Sequence, residues 1–261
     1  MTHLIGFPAD IPRIRKIIGQ RPIQILEDCC ESYGARIGGK KVGNFGAGSS
    51  FSFYWGHHMT TVEGGMVCTN DLDFYKLLRI KRSHGLAREL PPEDHAQLRK
   101  LRPDIDFNFL FLTDGFNFRN SEIYAVLGLS QLRHLDKYNS VRNRNHRRFV
   151  TLIKAYKSRL RIPDHRGLCS FCLPFICHDA DDKRELQEFL TEAGIETRPI
   201  ISGNLMRQPF LKDYRGDQRF PNAELVHTNG FYIGNNQFVG DQRMAQLQRL
   251  LAAFVGGVWM V

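Results

Sequence analysis

The sequence predicts an α/β fold of two parts, a large N-terminal unit over residues 1–145 and a smaller α/β unit over residues 146–261. Three observations predict it. In the first half, short apolar runs alternate with amphipathic runs, the order that builds a sheet with helices packed on it. Helical periodicity then bridges residues 120–160. A second strand–helix–strand pattern follows it.

The elements follow in order. HLIGFP, residues 3–8, reads as a short strand entering a turn. Residues 10–20 read as helix, with Pro12 in the first turn, where its missing N–H is tolerated. The apolar run 22-PIQILED-28 is a strand ending in two acids. The glycine-rich, basic stretch 36-RIGGKKVGNFGAGSS-50 is loop or hairpin. FSFYW, residues 51–55, and MVCTN, residues 66–70, are strands, the second entered through Gly64-Gly65. Residues 71–84 carry the helical spacing Phe74, Leu77, Leu78, Ile80, stopped by Gly85. Residues 86–118, with Pro91-Pro92 and Pro103, read as irregular. Ile123, Val126, Leu127, Leu129, Leu132 and Leu135 mark the bridging helix. CSFCLPFIC and IETRPI are strands around the helix 181–194, which Gly194 closes. A last helix covers 241–255.

Composition narrows the class. Hydrophobic residues make up 42% and charged residues 24% of 261, ordinary for a soluble globular protein. No apolar run has the length of a membrane span, and MTHLIGFPADIPRIRK lacks the order of a signal peptide. Six cysteines are too sparse for a disulfide framework, so they read as reduced and the protein as cytoplasmic. The net charge of +9 is compatible with nucleic acid, an acidic membrane surface or an anionic small substrate. The densest cluster, 142-RNRNHRR-148, sits in a helical pattern without interleaved aromatics, and reads as a solvated helix face rather than a nucleic-acid site.

The chemistry gathers between residues 27 and 65. Asp28 ends a strand, where α/β folds place functional groups; taken alone it also fits a cap or loop ion pair. Ser52 and His57 lie on the next strand and the loop after it. Gly64-Gly65 permit close backbone approach. The run 27-EDCCESYGARIGGKKVGNFGAGSSFSFYWGHHMTTVEGGMVCTND-71, with 115-GFNFRNSEIYAVLGLSQL-132 and 195-IETRPIISGNLMRQP-209, resembles the DegT/DnrJ/EryC1/StrS sugar aminotransferase family. These are fold-type I pyridoxal-phosphate enzymes acting on nucleotide-linked keto sugars.

The resemblance implies roles position by position. Asp28 matches the aspartate on the cofactor's pyridine nitrogen, which it keeps protonated. Glu31 matches a lesser contact beside the ring. Ser52 matches the phosphate-binding serine. Asn117 matches an asparagine reaching the phosphate from the other subunit, which implies a homodimer. His57 stands where most members have the lysine that links to the cofactor aldehyde. Imidazole cannot form that link. It resembles the branch of 3-dehydratases that uses non-covalent pyridoxamine 5′-phosphate, with histidine as the base and L-glutamate as amino donor. The expected substrate is a nucleotide-linked 4-keto-6-deoxy sugar, in deoxysugar and lipopolysaccharide O-antigen synthesis.

Other positions follow from the same comparison. Adjacent side chains in an extended segment point to opposite sides, so His58 reads as structural or a substrate contact, and no metal is expected at the histidine pair. Cys30 matches one ligand of the iron–sulfur cluster found in some dehydratases, but 82-RSHGLARELPPEDH-95 has no cysteine. Cys169, Cys172 and Cys177 read as buried apolar residues, so no cluster is expected. His84, Arg198 and Arg207 are further substrate candidates, and Asn204 and His227 stand with them. Family members carry about a third more chain before the segment resembling 2-THLIGFPADIPRI-14, and that part supplies phosphate ligands near a helix N-terminus. The large unit is therefore read as N-terminally incomplete. Two rival readings are a sugar aminotransferase of the same family and a catalytically silent subunit without cofactor.

Overall fold

The computed structural model describes residues 1–164, 166–214, 216 and 218–255. The expected second domain runs to residue 261; its last six residues lie outside the described residues. In chain order the elements are α1 (Ile11–Ile18), β1 (Leu26–Asp28), β2 (Arg36–Ile37), β3 (Lys40–Lys41), β4 (Gly48–Ser52), β5 (Gly65–Cys68), α2 (Leu72–Lys81), α3 (Pro92–Leu101), α4 (Glu122–Leu132), α5 (Leu135–Lys154), β6 (Leu160–Arg161), β7 (Cys172–Cys177), α6 (Ala180–Glu192), β8 (Thr197–Pro199), α7 (Pro221–Asn229), β9 (Gly230–Gly234) and α8 (Asp241–Val255).

The chain divides into two compact units. The first holds Met1–His3, Ala9–Glu31 and Lys40–His134; the second holds Leu4–Pro8, Ser32–Gly39 and Leu135–Val261. The expected boundary at 145/146 falls inside α5, a 20-residue helix that belongs wholly to the second unit. The helical run expected over 120–160 is two helices, separated by a turn at Arg133 and His134.

In the first unit, β1 and β4 pair in parallel and β4 and β5 antiparallel, giving a mixed sheet of order β1-β4-β5. Among the described residues, β5 pairs with β4 alone. Asp10 caps α1 and Asp71 caps α2, each side chain accepting an N–H of the first turn. Several expectations differ from the observed elements. The strand expected over residues 51–55 runs instead from Gly48 to Ser52, and that expected over 22–28 is confined to Leu26–Asp28. HLIGFP is not a strand: Thr2 makes one bridge to Asp28, and Leu4–Gly6 is a 3-10 turn. Gly6, at φ 96, forces that turn, since a Cβ there would meet the Cys169 carbonyl oxygen at 2.1 Å. The stretch read as irregular contains α3. Pro92 at its start opens the helix instead of breaking it. Glu93 and Asp94 in the first turn, with Arg99 and Lys100 in the last, complement the dipole.

In the second unit, an antiparallel sheet of order β6-β7-β9-β8 carries the core. Every residue of β7 is buried. Phe175 stacks on Phe231 of the neighbouring strand with ring centroids 4.8 Å apart, and Phe149 of α5 meets Phe175 edge-on. Leu190 of α6 and Leu251 of α8 join the same cluster. Each such burial contributes about 1.5–3 kcal/mol. The expected strand–helix–strand is present as β7, α6 and β8, but β9 lies between the two strands.

Candidate active site

Register places the site. In the parallel β1–β4 pair, Leu26, Glu27 and Asp28 lie beside Gly48, Ser49 and Ser50. Side chains alternate along a strand, so Asp28 shares its face with Ser50 and, two residues on, with Ser52. Ser52 stands roughly 6.6 Å further along β4 than Ser50. Glu27 and Ser49 point to the opposite face and are buried. Asp28 is held at its backbone by Met1 and His3, and its carboxylate accepts the Cys30 N–H at 3.0 Å. Burial and the hydrogen bond to Asp28 push the Cys30 thiol up to about 12, so it stays protonated. Glu31, half-buried, follows at once.

The segment after β4 folds back on itself. The Ser52 hydroxyl accepts the Tyr54 N–H at 3.2 Å, and the His57 N–H donates to the Tyr54 carbonyl at 3.1 Å. The His57 ring then returns to β4, with Nδ1 3.2 Å from the Ser52 carbonyl oxygen. A carbonyl only accepts, so Nδ1 carries the hydrogen in the neutral ring, and the basic lone pair sits on Nε2. Tyr54 packs edge-on against the imidazole at 5.9 Å. The loop closes where Phe53 donates to Gly64 and Thr61 donates to Phe53. Gly64, at φ 140, passes so near Thr61 that a Cβ would stand 2.7 Å from its hydroxyl. His58 turns inward and is 2% exposed, whereas His57 is half-buried.

Residues 81–87 and 110–118 run alongside each other. Ser83 bridges Asn117, the His84 N–H donates to Phe116, and Phe118 donates to Arg82. His84 and Asn117 are thus neighbours along one ladder. His84 adopts φ 61, a left-handed conformation uncommon outside glycine, and Asn117 is exposed. Arg198 and Arg207 lie in the second unit. Both are exposed and held by carboxylates, Arg198 by Glu196 and Arg207 by Glu224. Asn204 donates to the same Glu224, and its N–H reaches His227 Nδ1 at 3.3 Å.

Sequence reasoning missed Glu27 and His3. Glu27 read as one of two acids at a strand end, yet the period of two puts it on the buried face. Its Oε1 accepts N–H groups from Phe45 and Gly46, and its Oε2 those of Gly43 and the His3 ring. Burial pushes this carboxyl up, but the three backbone donors and His3 together outweigh burial and hold it below the ordinary range. His3, Glu27 and Cys29 bring ligand atoms within 4.8 Å of one another. Both carboxylate oxygens already accept two donors each, so Glu27, His3 and residues 43–46 form one hydrogen-bonded knot, with the Cys29 thiol beside it.

Residues 1–248 match the model of the DegT/DnrJ/EryC1/StrS aminotransferase family. The chain belongs to that family. It is 36% identical over 242 residues to GDP-4-keto-6-deoxy-D-mannose 3-dehydratase of Escherichia coli O55:H7, covering 90% of this chain and 62% of that protein. To the enzyme of the same name from Yersinia pseudotuberculosis it is 34% identical over 256 residues, 96% of this chain and 65% of that one. The structure of E. coli GDP-4-keto-6-deoxy-D-mannose-3-dehydratase with bound hydrated PLP superposes with TM-score 0.84 at 32% identity, over 96% of this chain and 66% of that one. The fold is that of the PLP-dependent aminotransferases, and this family member spans just under two thirds of the length of those curated relatives.

Proposed function

We propose that this chain is the cofactor- and sugar-binding part of a 3-dehydratase. It removes the C3 hydroxyl of a nucleotide-linked 4-keto-6-deoxy sugar, using pyridoxamine 5′-phosphate held without a covalent bond. One observation carries the reading. Asp28 and Ser52 share a sheet face, His57 folds back onto Ser52, and residues 52–65 contain no lysine.

The residues fit this cofactor. A half-buried carboxylate at a strand end suits a protonated pyridine nitrogen, and a serine hydroxyl oriented by the Tyr54 N–H suits a phosphate. The bound group supplies an amine that condenses with the C4 ketone and a protonated ring that accepts electrons. His57 takes a proton through Nε2 at the cofactor's C4′ carbon and returns one to the departing C3 hydroxyl. Asp28 keeps the ring nitrogen protonated, Glu31 stands beside it, and Ser52 anchors the phosphate. The relative with bound PLP and the two 3-dehydratases support both cofactor and substrate class. L-Glutamate would be the amino donor. In the second unit, Arg198 and Arg207 offer guanidinium groups to an anionic part of a substrate, each paired in this structure with Glu196 or Glu224.

Asn117 completes the phosphate site of a second copy, making the assembly a homodimer. It stands exposed between Phe116 and Phe118, whose rings stack 4.9 Å apart, and α4 beyond it exposes Ile123, Val126 and Leu129. Exposed apolar side chains of this kind support that reading. No helix among the described residues is long and apolar enough to cross a membrane.

An absorption titration with pyridoxamine phosphate and pyridoxal phosphate tests the reading. Saturable binding, with the aldehyde bound but not trapped by borohydride, followed by glutamate-dependent loss of the C3 hydroxyl from a 4-keto-6-deoxy sugar nucleotide, is expected. Binding of neither form refutes it and favours a catalytically silent subunit.

A further inference from the structure

The knot around Glu27 has a geometric effect on the site described above. Glu27 is 1% exposed, and its carboxylate holds the Gly43, Phe45 and Gly46 N–H groups at 2.7, 2.6 and 2.7 Å. His3 closes it from the other side at 3.1 Å. His3 Nδ1 accepts the Ala9 N–H at 3.0 Å, so the neutral ring carries its hydrogen on Nε2 and donates to Glu27. The next residues continue the seam: Ala47 donates to Ile25, and Cys29 to Ser50. Gly46 runs so close to β1 that a Cβ would stand 2.2 Å from the Ile25 carbonyl oxygen. β4 begins two residues later, at Gly48.

Strand register depends on that seam. A slip of one residue would turn Ser50 and Ser52 to the far face and Ser49 and Phe51 toward Asp28. Two charged oxygens accepting four donors resist such a slip, because charge-assisted bonds are about twice as strong as neutral ones. We propose that Glu27 is a positioning residue for the phosphate subsite: by clamping residues 43–46 beneath β1 it sets the register that puts Ser52 on the face of Asp28. The inference rests on the reading of Ser52 as phosphate anchor.

The test compares two probes on the purified chain, pyridoxal 5′-phosphate and pyridoxal, which differ only in the phosphate. The ratio of their affinities isolates the subsite. Glu27→Gln keeps the shape and replaces one acceptor oxygen by a donor that faces N–H groups. We expect it to lower the ratio about tenfold, toward that of Ser52→Ala, with the far-ultraviolet spectrum retained. A lower melting temperature with an unchanged ratio overturns the proposal, since a merely structural role moves both affinities together. Should Glu27→Gln fail to fold, Glu27→Asp, which keeps the charge and shortens the arm, carries the same comparison. A wild-type chain that binds neither probe overturns the site reading and this proposal together, whereas wild-type binding with an unchanged ratio in the variant overturns this proposal alone.

Discussion

His57 Nδ1 lies 3.2 Å from the carbonyl oxygen of Ser52, the residue five positions before it. That contact fixes the tautomer and folds the loop back onto the strand end. It also ties the proposed base to the proposed phosphate anchor through one backbone group.

Substitution at position 57 therefore separates binding from chemistry. His57→Asn should lower turnover by about 10²–10⁴, the range of a lost general acid–base group, with cofactor affinity nearly unchanged. His57→Lys should acquire a pyridoxal-phosphate link trappable by borohydride and visible by mass spectrometry. A lysine variant that binds the aldehyde yet never becomes trapped would show that this side chain faces elsewhere.

Acid should loosen the first unit through Glu27. Its carboxyl is held below the ordinary range in the folded chain, so its stabilisation is complete above the unfolded value of about 4.3. The contribution drains away as pH falls below that value through the folded one. Urea midpoints measured between about pH 6 and about pH 3 should fall for wild type more steeply than for Glu27→Gln. Parallel acid limbs in the two proteins would remove Glu27 from the explanation.

Val62 is a β-branched residue at φ 73, exposed in the loop between His57 and Gly64. The left-handed region costs an L-residue about 1–2 kcal/mol, partly offset by the entropy that glycine loses on folding. Val62→Gly should raise stability by about 1 kcal/mol, read as a higher melting temperature. An unchanged or lower melting temperature would mean the valine side chain contributes packing that its exposure hides.

Gly85 stands at φ 83 where the 81–87 segment meets residues 113–117, and a Cβ there would lie 1.8 Å from the Thr113 carbonyl oxygen. Gly85→Ala should destabilise by roughly 3 kcal/mol, combining strain with overpacking. Faster amide exchange at Phe116 and Phe118, which donate across this ladder, would accompany it. Normal exchange there would mean that the ladder tolerates the methyl group.

The apolar surface of α4 bears on assembly. Ile123→Glu with Val126→Glu should move the mass in light scattering toward the 30.1 kDa of a single chain. A dimer that survives both charges would place the interface elsewhere.

The sequence made the strand ends readable because Asp28, Ser52 and His57 lie within one local stretch, where apolar runs and glycines mark the turns. α3 was hidden because Pro91-Pro92 lies in a stretch that reads as irregular, although Pro92 begins a helix. β9 was hidden because GFYIG is short and pairs with residues far away in the chain. Glu27 was hidden for a different reason. Its four donors come from residues 3, 43, 45 and 46, and no local pattern announces that they converge. Arg198 and Arg207 were visible as cations, while the glutamates that hold them lie two and seventeen residues away.

β5 pairs with β4 on one side alone among the described residues, and Met66 and Val67 are more than half exposed on it. Such an edge offers a row of backbone donors and acceptors to any extended peptide, including a second molecule still folding. Intramolecular folding is independent of concentration, whereas edge-to-edge addition rises with it. Dilution during refolding should therefore favour the native chain over fibrous or amorphous deposits, and a single charged residue at position 67 should do the same work at higher concentration.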